Sequence, residues 1–338
     1  MGNPMRHAGR IQSKRRRHFR RVASVAAMVG LGLGLVSCGV SEAKLTVPIS
    51  SWPGYEYFYL AHRLGLDRAE GLEINPVQFA DPQAIVHAYL RGDLSVAQLT
   101  TVEAVDICAR DRKRCPVIVL ILNESRGGDR IAIANGLPGI SALRGKRVAV
   151  TYSTLGPYVL SRALEQNGLS LGDVKLADMP LSRMPDALKQ GKVQAAVFFP
   201  PFSDYAARDG ASHVVFDSRA IPEEVFDVLV VDPTFLKEHS RQLQSLIRVW
   251  EQAHQRAKLD RSKAVALMAA REQVSAKEFE ASEQGLVYFP LSTQRQMLAA
   301  NGVLSRNLKA VQAVQQRLKL LPPATPLPSL TSAFVEVD

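Results

Sequence analysis

Residues 45–55 read LTVPISSWPGY, a short apolar run that breaks at Pro53-Gly54. Residues 45–49, with Thr46 and Pro48 interspersed, suit a strand near the start of a sheet. An aromatic-rich helical run follows, from Tyr55 through Tyr57, Phe58 and Tyr59 to Leu66. A turn at the carboxyl end of a strand, opening into a helix, is where open α/β sheets bind ligands. Ser51, Trp52, Gly54 and Tyr55 are therefore candidate ligand contacts. They form one jaw of a cleft whose second jaw begins near Tyr152.

Upstream of this stretch the chain reads as a targeting segment. Residues 6–21 hold eight Lys and Arg and no acid, and residues 22–36 are a short apolar run closed by Leu35-Val36-Ser37-Cys38-Gly39. Charged, then apolar, then small is the order of a secretory signal, and the apolar run is shorter than the roughly 20 residues a membrane span needs. Leu-Val-Ser-Cys resembles a bacterial lipobox, which implies removal of residues 1–37 and a diacylglyceryl group on the Cys38 sulfur. Arg16-Arg17-His18-Phe19 resembles a twin-arginine signal, with Arg20 where a leucine is usual. The formal net charge of +10 falls to about +2 without these eight basic residues, so the basic balance does not point to nucleic acid. Of the two cysteines beyond Cys38, Cys108 and Cys115 lie seven apart. They read either as a disulfide across the intervening loop or as two free thiols. No His/Cys cluster has metal-ligand spacing and no cofactor motif is present.

Along the chain, strands over 72–79, 94–99 and 116–122 alternate with helices, the first over 82–91 behind an Asp81-Pro82 cap. Alternation with short connections implies parallel-rich sheets covered by helices, an α/β fold. Thr100 and Thr101 end the third strand. The pattern then restarts with strands over 130–135, 147–150, 174–179, 195–198, 213–216 and 225–231. Tyr152, Ser153 and Thr154 end one of these strands and Phe199 another. Past Asp232 the chain is almost wholly helical, over 240–271, 276–284 and 293–313, and closes with a Pro-rich extended stretch over 321–330.

These residues resemble the periplasmic solute-binding proteins of the nitrate, sulfonate, taurine and thiamine-precursor group of ABC importers. The similarity runs from Lys44 to about Gly302. Trp52-x-Gly54-Tyr55, with Leu60-Ala61 and Gly65-Leu66, opens it. Ala88-x-x-x-Gly92-Asp93-Leu94-Ser95-Val96-Ala97 and Gly128-Asp129-x-Ile131 follow. Leu143-x-Gly145-Lys146-x-Val148-Ala149-Val150 comes next, then Ala187-Leu188-x-x-Gly191-Lys192-Val193-x-Ala195 and a Pro200 turn. The resemblance implies a two-lobe, type II-like periplasmic binding fold with a ligand cleft between the lobes. Lobe one would comprise 38–128 and 229–338, and lobe two 129–228, with crossings near 123–129 and 226–231. It also implies a monomer, lipid-anchored on the extracytoplasmic face of a bacterial membrane, that closes by hinge motion and delivers a solute to a permease and ATPase without catalysing a reaction.

Ser51, Thr100, Thr101, Ser153 and Thr154 sit at strand-to-helix turns, where hydroxyls and backbone N–H groups hold small anions or simply cap helices. Trp52, Tyr55, Tyr152 and Phe199 offer walls for a planar ring. Asp129 either holds a ligand donor or ties the hinge through backbone amides. Phe199-Pro200-Pro201 stands where the family often has tryptophan, an acid and proline. The solute is thus read as small and either anionic or planar. An enzyme of thiamine-pyrimidine synthesis and a ligand-sensing lipoprotein are the rival readings, while a hydrolase is disfavoured because Gly-x-Ser-x-Gly is absent.

Overall fold

Pro48 constrains the first strand, because a residue without an N–H cannot complete a backbone ladder. β1 (Lys44–Ile49) pairs in parallel with β2 (Glu73–Gln78). On its other side it lies beside β3 (Val96–Thr100), where the Gln98 side chain donates to the Pro48 carbonyl at 3.0 Å. The computed structural model describes residues 44–208 and 210–335, within a unit spanning Glu42–Asp338. The expected signal segment and Cys38 lie outside the described residues.

The helices of the first lobe form for the reasons their sequences suggest. α1 (Glu56–Leu64) and α2 (Leu66–Ala69) connect β1 to β2. α3 (Pro82–Arg91) begins where the Asp81 carboxylate accepts from the Ala84 N–H at 2.9 Å, and it buries Ile85, Val86, Ala88 and Tyr89. α4 (Thr101–Arg110) opens with a reciprocal box: Glu103 Oε2 accepts from the Thr100 N–H at 2.9 Å, and Thr100 Oγ1 accepts from the Glu103 N–H at 3.3 Å. Cys108 and Cys115 are joined in a disulfide between α4 and β4 (Val117–Ser125), so of the two readings the bridge is the one present.

The second lobe runs β5 (Arg130–Ala134), β6 (Arg147–Val150), α5 (Gly156–Gln166), β7 (Lys175–Asp178), α6 (Met184–Lys189), β8 (Ala195–Phe198), α7 (Phe202–Arg208) and β9 (Ser212–Asp217). Its sheet order is β7-β6-β8-β5-β9, with β6 parallel to β7 and β8 but β5 antiparallel to β8 and β9. The first lobe repeats this arrangement. β10 (Phe226–Val231) returns from the second lobe and inserts antiparallel between β3 and β4. Each sheet thus joins strands of parallel βαβ type to one antiparallel strand arriving from the other lobe. Because β10 lies wholly in the first sheet, the return crossing occupies 218–225, upstream of the expected 226–231.

The rest of the chain supports the first lobe: α8 (Pro233–Glu238), α9 (Ser240–Leu259), α10 (Arg261–Glu272), α11 (Ala276–Glu283), β11 (Leu286–Val287), α12 (Leu291–Met297), α13 (Val303–Arg317) and β12 (Ser329–Leu330). The helical stretch expected over 240–271 is divided at Asp260, whose carboxylate accepts from the Lys263 N–H and starts α10. α9 lays Leu243, Leu246, Ile247 and Trp250 against α1 and α2. Burying each Leu or Ile contributes roughly 1.5–3 kcal/mol. The rim pair Arg248–Glu70, at 2.9 Å, adds at most about 1 kcal/mol, so the apolar stripe holds this helix.

The far edge of β4 shows how the tail is fixed. An uncovered edge strand exposes a row of unpaired backbone groups. Here β12 pairs with Val117 and Ile118, and β11 with Glu124 and Ser125. In the gap between them Gln294 of α12 acts as a one-residue strand: Ile121 N–H donates to its Oε1 and its Nε2 donates to the Ile121 carbonyl, each at 2.9 Å. Gln294→Ala strands both groups in a buried setting at about 1–3 kcal/mol apiece. It should lower the urea unfolding free energy by about 2–4 kcal/mol; a loss below about 0.5 kcal/mol would show that the edge is covered by other means.

Candidate ligand-binding site

The two chain crossings are bonded to one another. Ser125 and Ser218 hydroxyls lie 2.8 Å apart, the Gly127 N–H donates to Ser218 Oγ at 2.7 Å, and the Ser218 N–H donates to the Asp129 carbonyl at 2.9 Å. Glu124 accepts from Arg126 Nε and from the Glu223 N–H, both at 2.9 Å. Glu224 accepts from Tyr158 and from Arg162 of α5, fastening the second crossing to lobe two.

In front of these crossings, between the lobes, lies a cavity of about 40 Å³, taken as the space open to the centre of a water-sized sphere. One water needs roughly 10–15 Å³ by that measure, so the cavity has room for only a few and the lobes are closed. Lobe one contributes Ser50, Trp52, Tyr55, Thr100, Glu103 and Asp227 to the wall. Asp129 comes from the first crossing, and Thr151, Thr154, Leu155, Phe198 and Phe199 come from lobe two. Trp52 and Phe199 meet edge to face across the lobes, centroids 5.2 Å apart at 84°. No lysine or arginine side chain lines the cavity among the described residues.

Trp52, Tyr55, Thr100, Asp129, Thr154 and Phe199 are therefore brought together, as a jaw on each lobe requires. Ser51, Gly54, Thr101, Tyr152 and Ser153 are not on the wall. Ser51 faces a separate groove with Tyr59 and Arg271. Gly54 is buried behind the cavity, where any Cβ would collide with the Asn123 amide. Thr101 is fully buried within the first turn of α4. Tyr152 is 40% exposed, and its carbonyl accepts from Gln83 Nε2 of lobe one at 2.8 Å, while Ser153 Oγ accepts from Arg110. These two residues bridge the closed lobes at the rim. Arg208–Glu278 and Arg317–Glu165 bridge them elsewhere.

The carboxyl groups dominate the chemistry. Tyr55 donates to Asp227 Oδ1 at 2.6 Å, while Asp227 Oδ2 and Asp129 Oδ2 are buried without a hydrogen-bond partner, as is the Trp52 indole N–H. Asp129 thus lines the cavity and keeps one buried oxygen without a hydrogen-bond partner. Burial pushes Glu103 up to about 7, against the bonds from Thr100 and helped by the charge of Asp129. It pushes Asp129 up to about 6, with Ser125 and Arg130 opposing. Asp227 is driven well above the usual carboxylate range, first by burial and then by the charges of Asp129 and Glu103, with the Tyr55 bond opposing. Sequence reading passed over Asp227 and gave Glu103 no site role. The signal for Asp227 was a lone acid inside the apolar run VFDVLVV.

The sequence profile of the NMT1-like family matches residues 41–271. The chain belongs to the NMT1-like family. The taurine-binding periplasmic protein of Escherichia coli K12 is 23% identical over 176 residues, 51% of this chain and 53% of that protein. The chain spans about half the length of this curated relative. Among solved structures, the alkanesulfonate-binding protein SsuA of Xanthomonas axonopodis pv. citri, bound to MOPS, matches with a TM-score of 0.71. The identity is 16%, over 84% of this chain and 96% of that one. The desulfurization enzyme DszB matches at 0.60, with 18% identity over 86% and 97%. The NMT1-like chain therefore has the two-lobe periplasmic binding fold, which hosts both receptors and an enzyme.

The raised carboxyls give a signed pH dependence. Asp129 is protonated near pH 6 when folded and near 3.8 when free. Its contribution to stability is thus fully present below about pH 4 and lost as pH rises through 6. Asp129→Asn removes this loss. The variant should exceed the parent in unfolding free energy at pH 8 by on the order of 2 kcal/mol, with the gap closing toward pH 4. A gap that is constant with pH would mean that Asp129 ionises normally.

Proposed function

We propose that this protein is the extracytoplasmic solute-binding component of an ABC importer. In this reading it is anchored through a lipid on Cys38, works as a monomer, and passes a small solute trapped between its lobes to a permease and ATPase. The observation that carries the reading is the cavity itself. Both lobes and one crossing wall it, and rim contacts that exist only when the lobes meet close it. Such a site suits capture and release by hinge motion. Membership of the NMT1-like family and the likeness to the taurine- and alkanesulfonate-binding proteins support the same class.

An enzymatic reading has the DszB likeness and two carboxyls tuned near neutrality in its favour. It would have to rest on those carboxyls and on the wall's hydroxyls: the cavity wall carries no histidine or cysteine among the described residues, and Cys108 and Cys115 are joined to each other. Of the anionic and planar solutes left open by the sequence, the wall favours the planar one. It offers the Trp52 and Phe199 rings and no cationic clamp.

Two measurements test the proposal. Cells fed a labelled lipid precursor should label the protein, and Cys38→Ala should abolish the label. The full chain should also be stabilised by its solute, by about 2.7 kcal/mol at 100 times the dissociation constant, and mass spectrometry should recover that solute unchanged. Label surviving the substitution defeats the anchor, and a product in place of the solute defeats the receptor.

A further inference from the structure

Glu103, Asp129 and Asp227 come from three separate segments and meet on one cavity wall that no cationic side chain shares among the described residues. Like charges in a desolvated space repel strongly, and a simple oxyanion brought among them would add to the repulsion. Asp129 and Asp227, both residues of the wall, each keep one buried oxygen without a hydrogen-bond partner. Trp52 Nε1 is buried on the same wall and makes no hydrogen bond of good geometry, its N–H lying near enough to Asp227 to favour that group's charge. The face of an indole is the preferred aromatic platform for a cation.

A bound metal ion fits less well. Among the described residues no group of three or more His, Cys, Asp or Glu side chains could hold one, so the carboxyls do not converge on a single point. Charge spread over an organic frame, with donors on more than one atom, matches acceptors set apart.

Resting on the reading of the cleft as a solute-binding site, we infer that the solute is a small organic cation with N–H donors, of amidinium or amine type. Its donors meet Asp129 and Asp227, and its charged face lies against Trp52. This departs from the sulfonates named for the structural relatives, whose likeness to this chain is one of fold.

The test compares shape-matched ligands that differ in charge. Calorimetric titration of the full chain at pH 8 would use acetamidinium, acetamide and acetate, then benzamidinium, benzamide and benzoate. The amidinium of at least one series should bind about a hundredfold more tightly than its amide, with the carboxylate weaker still. Asp129→Asn should weaken the amidinium by about tenfold or more and leave the amide within about twofold. Asp227→Asn, which keeps an oxygen for Tyr55, should do the same and guards against one variant failing to fold. Preference for the amide or carboxylate overturns the cation and leaves a receptor standing. Indifference of amidinium binding to both folded variants overturns it too, as does no binding by any of the six. The receptor reading is judged apart from this, by whether any solute of a wider screen stabilises the chain and returns unchanged.

Discussion

Three carboxyl groups held out of water within reach of one another's charge are the constraint to which the rest of this molecule answers. Each is delivered by a different device. Glu103 sits in the first turn of α4, where the helix dipole and the Thr100 box favour a negative charge. Asp227 rides on β10, and Asp129 stands at the start of β5. β10 and β5 are the two strands that enter a sheet from the opposite lobe. Two of the three acids thus stand at or just beyond the passages between the lobes.

The first jaw is fastened from two sides. The Trp52 ring packs on the first crossing so closely that a Cβ on Gly128 would stand 2.5 Å from its Cη2. Behind it, Arg271 of α10 donates to the Ser50 carbonyl at 2.9 Å and pairs with buried Glu56. Removing one partner of such a buried pair costs about 3–5 kcal/mol, far more than a rim bridge contributes. The tail helices therefore hold the aromatic loop in place. The rim bridges, Arg110 to Ser153 among them, are exposed and contribute little.

Local chemistry made much of this readable in advance. Asp81-Pro82 announces α3 and Asp232-Pro233 announces α8, and both caps are made as their side chains allow. Strand direction was not readable, because periodicity reports a strand without saying which way its neighbour runs; hence the antiparallel β5 and β10. The break at Asp260 was hidden because the apolar stripe continues on both sides of it. At the site, a turn such as Tyr152-Ser153-Thr154 shows that hydroxyls gather at a strand end, but tertiary packing decides which of them faces inward. Ser153 has φ +63 and bonds Arg110 at the rim, whereas Thr154 lies on the wall. Asp227 was lost for the opposite reason. In a strand buried on both faces an acid has no solvent side, so its only stable explanation is tertiary.

Fold likeness carries the hinge and the cleft from one protein to another but not the charge of the guest. On the proposed reading, closure without a guest would take Glu103, Asp129 and Asp227 out of water with only protons to neutralise them. That would raise the free energy of the closed state as pH climbs from about 4 through 6 to 7. A cation reverses the sign. It gains most when the lobes meet, because the same desolvation that penalises bare carboxylates strengthens their attraction to a positive charge. A ligand shifts a two-state equilibrium only by its difference in affinity for the two states. A cation has that difference built into the cavity, while a neutral molecule of the same shape has only its contacts.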